Sequence, residues 1–154
     1  MKAALLSYRY VGLPDCRACS RFTTAEMHEL SLATSVVETA SEHAREAGAA
    51  RVLAVTLRIG RLSCVHEDAL RYSFELVRDG TPLADASLTV TPVPVRIWCP
   101  ACNTEQELPG IQRFACPVCK TRSGDIRAGR ELEIESITLD LPAEEPTDGH
   151  APHP

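Results

Sequence analysis

From Glu29 onward, apolar side chains recur every three or four positions. Leu30, Ala33, Val37, Ala40, Ala44 and Ala47 fall at helical spacing, while Glu38, Glu42, Arg45 and Glu46 take the other faces. That pattern predicts an amphipathic helix with Gly48 as its C-terminal stop. A stripe made largely of alanine implies close packing against a sheet or a partner. Residues 52–59, VLAVTLRI, switch to a period of two: Val55, Leu57 and Ile59 alternate with Thr56 and Arg58, the signature of a half-buried strand ending at Gly60.

The helical period returns over 67–80, EDALRYSFELVRDG, with Leu70, Phe74 and Val77 on one face and Asp79-Gly80 as the stop. A second strand is expected over 86–98, ASLTVTPVPVRIW, but Pro92 and Pro94 bar it from a central place in a sheet. A third is expected over 131–141, ELEIESITLDL. Its apolar positions change phase at Glu135-Ser136, as they do where a strand carries a bulge.

Residues 1–26 show no clear periodicity, and the Pro- and Glu-rich tail 142–154 reads as disordered. The expected fold class is therefore α+β: two helices packed on a three-stranded sheet, formed by residues 27–95 plus 130–141. A cysteine-rich unit, 96–129, is inserted between the second and third strands.

Composition narrows the function. The chain of 154 residues carries a formal charge of −5, against the basic excess of most dedicated nucleic-acid binders. No run reaches the ~20 apolar residues of a membrane span, and the N-terminal apolar patch is too short for a signal-peptide core. A cytoplasmic protein is the expectation. In that compartment its seven cysteines are metal ligands or free thiols rather than disulfides.

Four of them form the pattern Cys99-x-x-Cys102, thirteen residues, Cys116-x-x-Cys119. Two residues between cysteines let one tight turn aim both sulfurs at a single ion, and Pro100 and Pro117 each help fix such a turn. Four thiolates satisfy tetrahedral zinc(II) and leave no open position, so the site is structural. Iron in the same sulfur cage is the chemical alternative, with electron transfer as its function. Residues 96–130 hold six basic side chains and three acidic ones. This raises the alternative of a zinc-ribbon nucleic-acid-binding module, although Trp98 and Phe114 alone make a poor stacking platform.

Met27-His28-Glu29 poses a different question. In a chain that began at Met27, the free amine, the His28 amide nitrogen and the His28 imidazole would form a compact nitrogen chelate. Such a donor set suits nickel(II) or copper(II), and Glu29 would add a carboxylate or its own amide. With 26 residues upstream the amine is an ordinary peptide N–H. The two residues are then simply part of a first helical turn, where the acid complements the dipole.

MHELSLA, then LRIGRLSCV (57–65), ALRYSFELV (69–77), the CPxC…CPxC ribbon and the closing LEIESITL strand together resemble the HypA/HybF family of nickel metallochaperones for [NiFe]-hydrogenase maturation. The likeness covers about residues 27–141. It implies an α+β domain with a zinc ribbon and no enzymatic activity. It makes His28 the nickel anchor, with the Glu29 backbone and the Met27 amine as co-ligands, and Cys99, Cys102, Cys116 and Cys119 the zinc ligands. The implied partners are a HypB-type GTPase, the hydrogenase large-subunit precursor and, for some members, urease maturation proteins.

Two departures stand out. Residues 1–26 are an extension the family lacks, read here as an over-long start, with an added Cys16/Cys19 pair as the alternative. His66 stands where the family carries an acidic residue; it either supplies one more nitrogen to nickel or merely begins the second helix. His43 is expected on the surface or in packing, and His150 and His153 as solvated tail residues.

Overall fold

The computed structural model describes residues 2–6 and 25–142. The Cys16/Cys19 pair, His150, His153 and the tail beyond Pro142 lie outside the described residues. Helix α1 spans Ala25–Glu46, and its side chains are described from Glu29 onward. Its buried stripe is Glu29, Leu32, Ala33, Val36, Val37, Ala40 and Ala44. The alanines are where the spacing put them, but the stripe is rotated from the expected one: Leu30 is 37% exposed and Ala47 is also exposed.

Gly48 takes φ +67° and closes α1 in a Schellman arrangement, with the Gly48 N–H on the Arg45 carbonyl and the Ala49 N–H on the Ala44 carbonyl. Strand β2, Arg51–Gly60, alternates buried Val55, Leu57 and Ile59 with half-buried Thr56 and Arg58. Helix α2, Glu67–Val77, turns Leu70, Ser73 and Phe74 inward.

The expected second strand is two strands: β3, Ser87–Val93, and β4, Arg96–Cys99, in different sheets. β3 pairs parallel to β2, which requires a crossover, and α2 supplies it. β3 is an edge strand, the place where Pro92 costs least. The chain then leaves this sheet at Pro94-Val95. Short strands β5 (Thr104–Glu107) and β6 (Ile126–Ala128) flank β4 antiparallel and make the ribbon.

β7, Leu132–Leu141, returns antiparallel to β2. The expected phase slip is a bulge: Thr56 faces Ser136 but Leu57 faces Ile134, so Glu135 is the extra residue. The three expected strands are joined by a fourth. β1, Lys2–Leu6, pairs antiparallel with the outer side of β7, so the order is β1-β7-β2-β3. KAALL is too short for a period to emerge, and nothing in its pattern distinguishes a strand from a random apolar run.

Two apolar clusters result. The larger joins α1, α2, β2 and β7; the smaller holds Val95, Ile97 and Leu108, with Leu62, Phe114 and Ile126 against them. Between the two, Gly60 and Gly129 touch backbone to backbone. A Cβ on Gly60 would stand 2.2 Å from the Gly129 carbonyl, and Gly129 takes φ +109° beside Val95. Hydrogen bonds from Gly60 N–H to the Glu131 carbonyl (2.7 Å) and from Leu62 N–H to the Gly129 carbonyl (2.7 Å) hold the crossing.

Candidate metal centres

The ribbon brings its cysteines together through two matched turns. Cys99 ends β4, and the chain turns through Pro100 and Ala101 to Cys102; Cys116 leads through Pro117 and Val118 to Cys119. The residue after each second cysteine, Asn103 and Lys120, takes a left-handed φ of 52° and 63°. The Cys116 N–H donates to the Thr121 carbonyl and the Lys120 N–H to the Cys116 carbonyl, tying the second turn to its own base. The first turn rests on β4, where the Trp98 N–H donates to the Asp125 carbonyl and the Ser123 hydroxyl to the Trp98 carbonyl.

All four Sγ atoms lie within 4.8 Å of one another. Cys99 and Cys119 Sγ are 3.4 Å apart and Cys102 and Cys116 Sγ 3.8 Å, too far for disulfides. A tetrahedron with metal–sulfur bonds of ~2.3 Å has edges of about 3.8 Å, so the donor set fits one zinc-sized ion. Cys99 and Cys116 are buried, Cys102 half-buried and Cys119 exposed.

The thiols are not equivalent. The Thr121 hydroxyl, 3.2 Å from Cys119 Sγ, together with the Thr121 backbone and Cys99, lowers the Cys119 thiol from 9.0 to about 6. Cys102 is pushed up to about 12, chiefly by its hydrogen bonds to Cys119 and Cys99. A sulfur that donates into such a cluster keeps its proton, while the one that accepts ionises early. One thiolate is therefore ready for a cation, and the others are deprotonated as the cation binds.

A second constellation lies at the start of both helices. Met27 and His28 occupy the first turn of α1; their side chains lie outside the described residues. Glu29, the next residue, is 1% exposed. Its Oε1 accepts a hydrogen bond of 3.0 Å from the backbone N–H of His66, the N-cap of α2. His66 has extended backbone and makes no side-chain cap of its own, so the carboxylate of one helix caps the other and meets its positive dipole end. The His66 residue itself is exposed. Glu29 Oε2 is buried with no hydrogen-bond partner among the described residues.

The capping role of the Glu29 carboxylate was not foreseen from sequence, where it was considered as a metal donor and as an acid complementing the dipole of its own helix. The available signal was its place three residues before Leu32, on the apolar stripe. Cys64, two residues before His66, is exposed and takes φ +58°, a conformation that ordinarily belongs to glycine. His43 is half-buried, with Nδ1 3.4 Å from a Glu46 carboxylate oxygen.

Residues 27–139 match the family model described as HypA, hydrogenase/urease nickel incorporation, metallochaperone. The chain belongs to the HypA family. The hydrogenase maturation factor HypA of Chloroflexus aggregans is 50% identical over 116 residues, which cover 75% of this chain and all of that one. The HypA protein of Roseiflexus sp. is 43% identical over 111 residues, 72% of this chain and 90% of that one.

Among solved structures, a solution structure of a HypA protein superposes with a TM-score of 0.57 at 24% identity, covering 73% of this chain and 96% of that one. The solution structure of the Ni metallochaperone HypA from Helicobacter pylori gives 0.53 at 23% identity, covering 72% of this chain and 96% of that one. At that identity the likeness speaks to fold, and the fold is shared: a small α+β domain with a four-cysteine ribbon. Among the described residues, no helix is long and apolar enough to cross a membrane.

Proposed function

We propose that this HypA-family chain is a cytoplasmic nickel metallochaperone that binds nickel(II) and delivers it during maturation of [NiFe]-hydrogenase. Nickel is its cargo. His28 anchors the ion with the Glu29 backbone, joined by the Met27 amine once Met27 is the N-terminal residue, and His66 adds an imidazole. Cys99, Cys102, Cys116 and Cys119 hold structural zinc(II), which supplies a crosslink and no open coordination position. The chain works as a carrier rather than an enzyme. It acts with a HypB-type GTPase and the hydrogenase large-subunit precursor, and the family's link to urease extends the same role to urease maturation proteins. Residues 27–95 plus 130–141 are the nickel-binding domain and 96–129 the zinc ribbon.

The observation that carries this reading is the Glu29–His66 bond, 3.0 Å across the two helix starts. It ties the turn that holds Met27 and His28 to the backbone of the residue standing where the family carries an acid. The backbones that carry His28 and His66 are thus tied together through one carboxylate. A terminal amine beside them gives a donor set suited to nickel(II) and open enough to release it.

Isothermal titration with nickel(II), comparing a chain that begins at Met27 with the full-length chain and with the His28→Ala form of the shorter chain, tests the proposal. The shorter chain is expected to bind about one nickel beyond its zinc, and His28→Ala to lose it. Equal nickel affinity in the His28→Ala form would sink the assignment. Intact-mass measurement of the native protein reports directly whether Met27 is the first residue.

A further inference from the structure

The carrier role leaves the basic side chains of the ribbon without a task. They are not scattered. Arg61, Arg113, Lys120, Arg122 and Arg130 line three cavities of about 640, 470 and 480 Å³; the first and third share Pro109 and Arg113, and the second and third share Arg122. Among the described residues, no acidic side chain lines any of the three.

The arrangement of the arginines elsewhere sharpens the contrast. Arg51, Arg58, Arg71, Arg96 and Arg127 each contact a carboxylate, on Asp140, Glu133, Glu67, Glu105 and Asp125 respectively. Arg61, Arg113, Arg122 and Arg130 pair with no carboxylate among the described residues. In a chain of formal charge −5, positive charge left unpaired on one continuous concave surface is an electrostatic footprint for an anionic partner.

The walls also identify the kind of anion. Ile111 is 47% exposed and half-buried Phe114 lies further along, with Pro109 and Pro117 between the cations. Adjoining cavities whose walls carry several cations together with apolar side chains suit a ligand with several anionic groups and apolar parts better than a single phosphate group. Single-stranded nucleic acid needs open aromatic faces. Here Trp98 is half-buried with the Arg127 guanidinium 5.7 Å over its ring, and Phe114 is half-buried in the smaller apolar cluster.

We propose that this groove docks an acidic segment of a partner protein that also bears apolar side chains, with Arg113 and Arg122 at its centre pairing carboxylates and exposed Ile111 receiving an apolar side chain. The groove runs past Cys116, so the zinc-bound turn forms part of its wall.

The test is fluorescence anisotropy of the full-length, zinc-loaded protein with a labelled twelve-residue peptide of repeating Glu-Glu-Leu. A Gln-Gln-Leu peptide and a twelve-nucleotide single-stranded DNA serve as comparisons. The Glu peptide is expected to bind saturably, and to weaken at least about fivefold between 50 and 300 mM salt. Arg113→Glu/Arg122→Glu is expected to lose at least tenfold, while Arg45→Glu/Arg51→Glu, away from the groove and of equal charge change, loses less than twofold. Because both groove arginines are exposed, the folded state is checked by zinc content, and Arg113→Gln/Arg122→Gln repeats the test without adding negative charge. Equal binding of the Gln peptide, equal loss in the two charge-reversed forms, or tighter binding of the DNA would each overturn the proposal.

Discussion

The carboxylate of Glu29, buried in the first turns of α1, caps α2 by accepting the backbone N–H of His66 at 3.0 Å. The bond uses the amide of His66 and not its imidazole, so the two halves of the contact are separable by mutation. Glu29→Ala removes a charged acceptor and leaves a small cavity, and urea unfolding should show a loss of about 2–3 kcal/mol. His66→Ala keeps the amide and should change stability by less than about 0.5 kcal/mol. His66→Ala should instead weaken nickel binding in the calorimeter. If His66→Ala were as destabilising as Glu29→Ala, the imidazole rather than the amide would be the structural group.

Removal of one cysteine tests how far the ribbon stands alone. Cys116 is fully buried between the two turns, and Cys116→Ser should abolish stoichiometric zinc. Because the ribbon has its own apolar cluster, amide NMR signals of residues 96–129 should collapse while those of α1, α2 and β2 persist. Collapse of both sets together would contradict a two-unit division.

The split between Cys119 and Cys102 belongs to the folded, reduced ribbon before an ion binds. Cys119, lowered to about 6, is mostly thiolate at pH 7, and Cys102, pushed up to about 12, is not. Brief iodoacetamide treatment followed by peptide mass analysis should find Cys119 alkylated at least tenfold faster than Cys102 while the ribbon holds its fold, and at similar rates once metal loss unfolds it. The sign follows from linkage. Cys119 has a folded value below its unfolded 9.0, so its contribution to ribbon stability is full above pH 9 and fades as pH falls toward 6. Cys102, shifted the other way, contributes fully below pH 9 and loses its contribution as pH rises toward 12.

Among the described glycines, Gly60 is the one least able to accept a side chain. A Cβ there meets the Gly129 backbone at 2.2 Å, with no flexible atom to yield, so Gly60→Ala should cost at least about 3 kcal/mol in chemical denaturation. Gly124, with nothing within 4 Å of an added Cβ, should tolerate alanine to within about 0.5 kcal/mol. Similar costs at both sites would mean that the crossing is looser than described.

These contrasts track what a one-dimensional pattern carries. The four cysteines, the two helices and the Glu135 bulge were legible because each leaves a local period or a break in one. The split of 86–98 into β3 and β4 was not, since both halves keep strand-like residues and only the turn at Pro94-Val95 sends them to different sheets. β1, β5 and β6 are three to five residues long, too short for a period. Leu30 was assigned inward and Glu29 was left out of the buried stripe, because burial of a carboxylate depends on a partner 37 residues away, the His66 amide. The likeness at residues 27–141 pointed to the cysteine cluster and to the MHE turn, but not to the basic groove, whose charges are brought together from both sides of the ribbon.

The insertion of the ribbon between β3 and β7 also sets an order of assembly. β7 must find β2 across a long excursion of chain; Arg51 and Asp140, 89 residues apart, end up in one ion pair. Closing so long a loop is slow, because its entropy is lost before the contacts that repay it form. An ion held by Cys99 and Cys119 pins the middle of that excursion into a short hairpin and brings its two stems to the Gly60 crossing. With zinc as that ion, its supply during synthesis would govern how quickly the last long strand is captured, and with it how long the open flank of β2 is exposed to other chains.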